Sequence, residues 1–460
     1  MKASNRLLLW PACGMVLFIC MAAFKIASYG SINIRVYQGF AALGLLATLL
    51  VLSRGRPAVT QSKTDVRAFA LALSFLFVCF ASMLVAPYPQ ITLKQSLLLS
   101  AYMLVAYVAW RAFNSPSNLR TYVVVLFSGS AVAYLYGYLQ TLMPYTVGLA
   151  FVEREISDTY VGQFAFFRPQ SFFSEGNEFG QFMTFSSGMF FACSIYCRET
   201  RIRNLARSMV LALFPILFIN NSRGTFLGIV AMSCIVVRVN SRLTTGAVRI
   251  RKLIAVMFIG ALVAMLITLY LLVPYIPSFA HTDPLDWAIT RITGTGSADD
   301  ATFYGRLELI RTCLTAFLAR PLLGLGYGNV FSILDQSHYN PQNTATEGLV
   351  DRGNATSANF LMDVAVETGV IGITVFFFLL FAVAKVAKHN LKRQQGTPNF
   401  PFVLGSYLAF WGMLVNSLSY SAVTLAIFWL NVGVILGSSR LSITACNLCN
   451  EQNRSLRRSA

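Results

Sequence analysis

The sequence predicts an all-α polytopic membrane protein of about twelve transmembrane helices, and three observations carry that expectation. Residues of the set AVILMFWYC make up 56% of the 460-residue chain, charged residues only 12%, and the mean hydropathy is +0.62. A soluble chain needs about twice that charge to cover its surface. Runs of roughly 20 apolar residues, the length that a hydrocarbon core of about 30 Å demands of a helix, recur from end to end. Lys and Arg, finally, are unevenly divided among the segments between those runs.

The expected spans are 7–28, 34–53, 68–86, 96–112, 121–143, 178–197, 208–221, 224–239, 253–274, 359–384, 401–418 and 420–438. Lys2 and Arg6 precede the first, and no small-residue cleavage site follows it. That pattern reads as a retained helix, not a removed signal peptide. The pair at 208–221 and 224–239 is short and split at Asn220-Asn221-Ser222-Arg223, so two spans and one broken or re-entrant pair both fit.

Charge sets the orientation. With the N-terminus inside, segments 1–6, 54–67, 111–120, 198–207, 238–252, 385–400 and 439–460 face the cytoplasm. They hold 25 of the 36 Lys and Arg but only 3 of the 18 acids (Asp65, Glu199 and Glu451). The positive-inside rule produces such a split and puts both termini in the cytoplasm. A pI near 9.7 is then no sign of nucleic acid. Runs such as Arg249-Ile250-Arg251-Lys252 mark topology and contact anionic membrane lipids. Cys446 and Cys449 form a lone CxxC in a chain with three His, which is too little for a zinc or redox site.

One integral-membrane domain covers 1–460, and two of its outward segments are long enough to carry chemistry, 144–177 and 275–358. Within the second, Leu307, Ile310, Leu314 and Phe317 recur at helical spacing. A helix from about Gly305 to Ala319 follows, lying on the membrane surface or the bundle and ended by Pro321. Gly324-Leu325-Gly326-Tyr327-Gly328 has no strand before it and no βαβ surroundings. It reads as a tight turn after the helix and not as a dinucleotide site. The chain has no Walker sequence, HExxH or serine elbow, which argues against ATP hydrolysis and metalloproteolysis.

Outward arginine is what remains to be explained: Arg168, Arg223, Arg291, Arg306, Arg311, Arg320 and Arg352 sit where the charge rule disfavours them. Arg223 lies between two apolar runs, an expensive place unless it is paired or serves an anionic ligand. Guanidinium keeps its charge and matches phosphate bidentately, so two or three converging arginines would suit a diphosphate at the membrane boundary.

These residues resemble the bacterial O-antigen ligase and O-antigen/exopolysaccharide polymerase superfamily. Asn221-Ser222-Arg223-Gly224 is similar to the family's arginine after a mid-chain span. Gly305-Arg306, the amphipathic helix and Arg320-Pro321-Leu322-Leu323-Gly324-Leu325-Gly326-Tyr327-Gly328-Asn329 resemble its GR…PLxGxGxGxF block. Asn359-Phe360-Leu361…Glu367-Thr368-Gly369…Gly372 resembles its HNxxLxxxxExGxxG segment. Ligases of the family carry His before that Asn; Ala358 stands there, with His338 upstream in the same loop. Arg168-Pro169-Gln170-Ser171-Phe172-Phe173-Ser174-Glu175 looks more like the RPxSxFxE run of polymerases.

The resemblance implies an inverting, metal-independent glycosyltransferase of the bacterial inner membrane, with its site on the periplasmic side. Its donor would be a glycan on undecaprenyl diphosphate, its acceptor a glycan or lipid-linked glycan, and no nucleotide, metal or other cofactor is implied. Arg168, Arg223, Arg306 and Arg311, with Asn177 and Asn359, are the expected diphosphate and substrate contacts. Glu175 leads the candidates for the base, ahead of His338, with Glu178, Asp363 and Glu367 also open. A polymerase is the leading expectation, a ligase the first alternative and a polysaccharide or lipid-linked sugar transporter the second.

Overall fold

The computed structural model describes residues 2–22, 25–29, 32–53, 63–142, 158–161, 164–167, 169–173, 176–220, 222–243, 310–334, 359–418 and 425–441. Helices dominate them: α1 (Lys2–Ile19), α2 (Val36–Ser53), α3 (Lys63–Ala81), α4 (Pro89–Ala112), α5 (Pro116–Leu142), α6 (Gly176–Tyr196), α7 (Thr200–Asn220) and α8 (Arg223–Leu243). After them come α9 (Ile310–Ala319), α10 (Phe360–Gln394), α11 (Phe400–Asn416) and α12 (Ala426–Ser438). By length and composition, the helical stretches Lys63–Val85, Pro89–Ala112, Pro116–Gln140 and Phe360–Gln394 can cross a membrane. Every expected span except 253–274 falls on a helix; that one lies outside the described residues.

Two expectations need correction. The first span was read as 7–28, but α1 ends at Ile19, and a hairpin of β1 (Lys25–Tyr29) and β2 (Ile32–Arg35) follows it, Tyr29 opposite Ile32. A second hairpin pairs β3 (Asp158–Val161) with β4 (Phe164–Phe167) in the 144–177 segment. Hydropathy does not distinguish a short apolar strand from the end of an apolar helix. The second correction concerns 208–221 and 224–239. The apolar stretches are short, as in Gly224–Val239, but the helices that carry them, α7 and α8, are 21 residues each, about 31 Å of helix. Arginines at the far ends, Arg201 to Arg207 and Arg238 to Arg242, carry both helices beyond their apolar stretches.

At the centre stands α6, packed against α7, α8 and α11, with residues Phe179–Ser194 buried on every side. A helix apolar all round is an interior helix. α12 packs on α4 and α10 on α3. Side chains such as Trp10, Phe77, Leu84 and Phe381 face outward from this core, and lipid is the solvent that accepts them.

Because the helices run alternately up and down, one end of the bundle gathers the ends of α3, α5, α7 and α11 with the starts of α4, α6, α8 and α10. The described parts of the sequence motifs fall at that end.

Candidate functional site

The first motif block is held by side-chain amides. Asn220, the last residue of α7 and fully buried, donates through Nδ2 to the carbonyls of Pro169 and Gly176, at 2.9 Å each. Gln140 of α5 accepts from the backbone N–H groups of Gln170 (3.1 Å) and Ser171 (2.6 Å), and donates to the Ser171 carbonyl at 3.2 Å. Ser171 has φ 52°, a left-handed conformation that disfavours a side chain. Its hydroxyl offsets this by donating to the Ala133 carbonyl at 2.6 Å. Phe172 stacks on Tyr136 at 4.3 Å, and Phe173 packs against Phe179 and Phe182. Residues 169–173 are thus a fixed, buried loop between two helix ends.

A polar network continues behind it. Asn416 of α11 donates to the hydroxyls of Thr184 (2.8 Å) on α6 and Thr225 (3.3 Å) on α8. Gln181 of α6 donates to Ser417 Oγ at 3.3 Å, and the Ser417 carbonyl accepts from Phe360 N–H at 3.2 Å. Ser417 therefore joins the first block to the start of α10.

On the other side of α6 lies an arginine that the motifs do not contain. Arg35, at the end of β2, hydrogen-bonds Tyr37, which hydrogen-bonds Tyr102 of α4. The Glu178 carboxylate acts electrostatically on the Arg35 guanidinium as well. The half-buried Arg35 and Glu178 and the buried Tyr37 and Tyr102 thus make up a polar group at the first turn of α6.

The second block is built from backbone. α10 is broken at Gly369, which has φ 65° and ψ −167°, values open only to glycine. The segment Pro321–Gly326 inserts at the break. Leu325 and Gly326 donate to the carbonyls of Val366 (2.8 Å) and Glu367 (2.9 Å), while Val370 and Ile371 donate to those of Pro321 (2.7 Å) and Leu322 (3.4 Å). Backbone groups freed by the break, which would be costly in a membrane, are nearly all paired again. Chain meets chain so closely that a Cβ on Gly324 would lie 2.4 Å from the Val366 oxygen. The glycines are therefore close-approach positions against a broken helix, not only a turn.

Glu367 sits inside this joint, 6% exposed. Its carboxylate accepts from the N–H groups of Gly328 and Val330, the latter at 3.4 Å. Tyr327 N–H donates to Ser82 Oγ (3.0 Å) in the 3-10 turn Ser82–Val85, and Asn329 donates to Thr92 Oγ1 (2.7 Å) of α4. Arg320 donates to the Val85 carbonyl at 2.9 Å.

The expected site residues distribute as follows. Asn177 and Glu178 occupy the first turn of α6, half-buried. Arg223 opens α8, with its side chain outside the described residues. Arg311 is exposed on α9. Asn359 caps α10, its Oδ1 accepting from Leu361 (3.0 Å) and Met362 (3.4 Å), and Asp363 is buried one turn on. Arg168, Glu175, Arg306 and His338 lie outside the described residues, though Pro169 and Gly176, the neighbours of Arg168 and Glu175, are the two residues that Asn220 holds. Arg35, Tyr102, Asn220 and Asn416 are not among the residues the motifs point to. Only the amides in Asn220-Asn221 offered a signal, as polar residues at the end of an apolar run.

The class so defined is a helical membrane protein with a polar, arginine-bearing site at one end of its bundle. Residues 208–377 match the family model described as O-Antigen ligase, which supports the O-antigen ligase and polymerase superfamily for this chain. No curated protein matches it significantly.

Proposed function

We propose that this chain transfers a glycan from undecaprenyl diphosphate to a sugar hydroxyl at the periplasmic face of the inner membrane, as a surface-polysaccharide polymerase. The observation that supports this reading best is the junction at Ser417, which ties α6 to the start of α10, while Asn220 ties the start of α6 to the loop after Arg168. In the reaction, the acceptor oxygen attacks the anomeric carbon, the bond from that carbon to the diphosphate breaks, and the diphosphate leaves on its lipid. Arg223 and Arg306, with Arg168, hold the leaving group and offset its developing charge. Glu175 takes the proton of the acceptor hydroxyl.

A ligase is the second reading, favoured by the description of the matching family. Ala358 in the histidine position favours the polymerase, because a ligase of this kind would use a neutral imidazole as its base. A deletion strain separates them. Loss of a polymerase leaves single repeat units and no long chains; loss of a ligase leaves full-length chains on undecaprenyl diphosphate. In complementation, Arg223→Lys and Arg306→Lys should each lose most activity at unchanged protein level, since lysine keeps the charge but not the fork. Full complementation by both lysine variants refutes the diphosphate role.

A further inference from the structure

The end of the bundle away from the motifs carries a second buried polar cluster, which the transfer chemistry does not use. Arg440, just past the end of α12, is 4% exposed. Its guanidinium lies over the ring of Trp110, at the end of α4, 5.2 Å from the centroid. Among the described residues, neither Nε, Nη1 nor Nη2 of Arg440 has a hydrogen-bond partner, and neither does the indole Nε1 of Trp110. Asp65, at the start of α3, is fully buried and accepts from Ser439 Oγ through Oδ2, while its Oδ1 is also without a partner. Burial and the neighbouring Arg111 guanidinium lower the Arg440 pKa, against the attraction of Asp65. Arg111 itself is half-buried and leads from the cluster to the surface.

Buried polar groups almost always find partners, and an unpaired buried guanidinium is among the costliest exceptions. The imbalance here is informative. Four nitrogen donors face a single free oxygen, so the missing partner supplies acceptors, several of them, together with negative charge. A water between Asp65 and Arg440 would satisfy one or two of these groups and leave the rest. A phosphate, with oxygens matching the guanidinium fork, satisfies them together.

We propose that Arg440, Trp110 and Arg111 bind a phosphate group at this end of the bundle, carried by an anionic phospholipid or by a small phosphorylated solute. Asp65 holds Ser439 in place, and burial pushes the Asp65 carboxyl pKa up.

The test is the melting temperature of the full chain in mild detergent, titrated with phosphatidylglycerol, with zwitterionic phosphatidylcholine or with inorganic phosphate. Phosphatidylglycerol acting at about tenfold lower amounts than phosphatidylcholine identifies a lipid source, and a response to inorganic phosphate alone identifies a solute. Arg440→Gln should abolish the response, and Arg440→Lys and Trp110→Phe should weaken it a few-fold. Asp65→Asn should leave it intact or strengthen it. Should Arg440→Gln fail to accumulate, the lysine and phenylalanine variants still decide the matter. The proposal is overturned if the wild type responds to neither anion or the variants respond as the wild type does. It is equally overturned if Asp65→Asn loses the response, which would leave a water-bridged Asp65–Arg440 ion pair.

Discussion

The two motif blocks meet at one end of the bundle but are held by different means. Around 169–228, side-chain amides reach across to backbone and hydroxyls: Asn220, Gln140 and Asn416 each span two segments. Around 320–371, backbone bonds to backbone, and the contact is so close that glycine is obligatory. The first arrangement leaves the half-buried Asn177 and Glu178, and the start of α8 at Arg223, at helix beginnings, where the positive end of the macrodipole favours an anion. The second encloses its carboxylate in a joint. On the proposed reading the base and two of the arginines come from the first block, Arg306 comes from the start of the second, and the joint at Gly369 supplies rigidity.

The largest effect expected from this contrast lies in the second block. Gly369→Val would place a branched side chain at φ 65°, with its Cβ 2.2 Å from the Leu322 carbonyl oxygen. Neither the backbone nor the inserted segment can give way without losing the four bonds across the break. The protein should fail to accumulate in membranes, as read by immunoblot and by size exclusion in detergent. Normal accumulation would show that the joint is loose and that the contrast does not hold.

Next in size is the loss of the proposed base. Glu175→Gln keeps the shape of the side chain and removes its proton affinity, so transfer should fall by about 10²–10⁴ at unchanged protein level. His338→Ala should cost far less. The opposite pattern moves the base to the 275–358 segment and makes the ligase the better reading.

A smaller effect is expected at the clamp. Asn220→Ala leaves the buried carbonyls of Pro169 and Gly176 without their donor, at about 1–3 kcal/mol for each acceptor left unsatisfied. A lower melting temperature in detergent should accompany a fall in transfer, because the segment between Arg168 and Glu175 is no longer held at both ends. If stability falls and transfer does not, the loop is scaffold only.

Much of this architecture was legible in the sequence, for physical reasons that also mark where reading stops. Apolar runs reveal helices because lipid and core both demand them, so α2 to α8 and α10 to α12 fell close to their expected places. The hairpin at 25–35 is hidden because its strands overlap the facing ends of two expected spans, 7–28 and 34–53, and the ends of α7 and α8 are hidden where arginines extend a helix past its apolar stretch. Arg311 and Arg320 were visible as cations on the outward side, but only coordinates show Arg320 spent on the Val85 carbonyl. Arg35 escaped notice because it stands at the edge of an expected span, where it reads as an ordinary flanking charge. The break at Gly369 was hidden as well. Its glycines carry the family pattern, yet no periodicity announces that a segment some forty residues upstream fills the gap.

The smallest effect, and the one that sharpens the contrast most, concerns Glu367. It is a buried carboxylate near the motif end and one of the candidates for the base, so it competes directly with Glu175. Its surroundings argue for a scaffold role: it accepts from the backbone N–H groups of Gly328 and Val330, both within the inserted segment. An amide oxygen can accept those same two bonds from a side chain of the same shape. Glu367→Gln should therefore keep transfer within about tenfold of the wild type, below the range of a lost general base. Glu367→Leu removes the acceptor, leaves two buried donors unsatisfied and should lower the melting temperature in detergent. The pair of variants separates the roles, since a base is lost in both while a scaffold is lost only in the leucine. A Glu367→Gln protein that folds normally and is nearly inactive would put the chemistry in the joint itself, and the division between the two blocks would have to be abandoned.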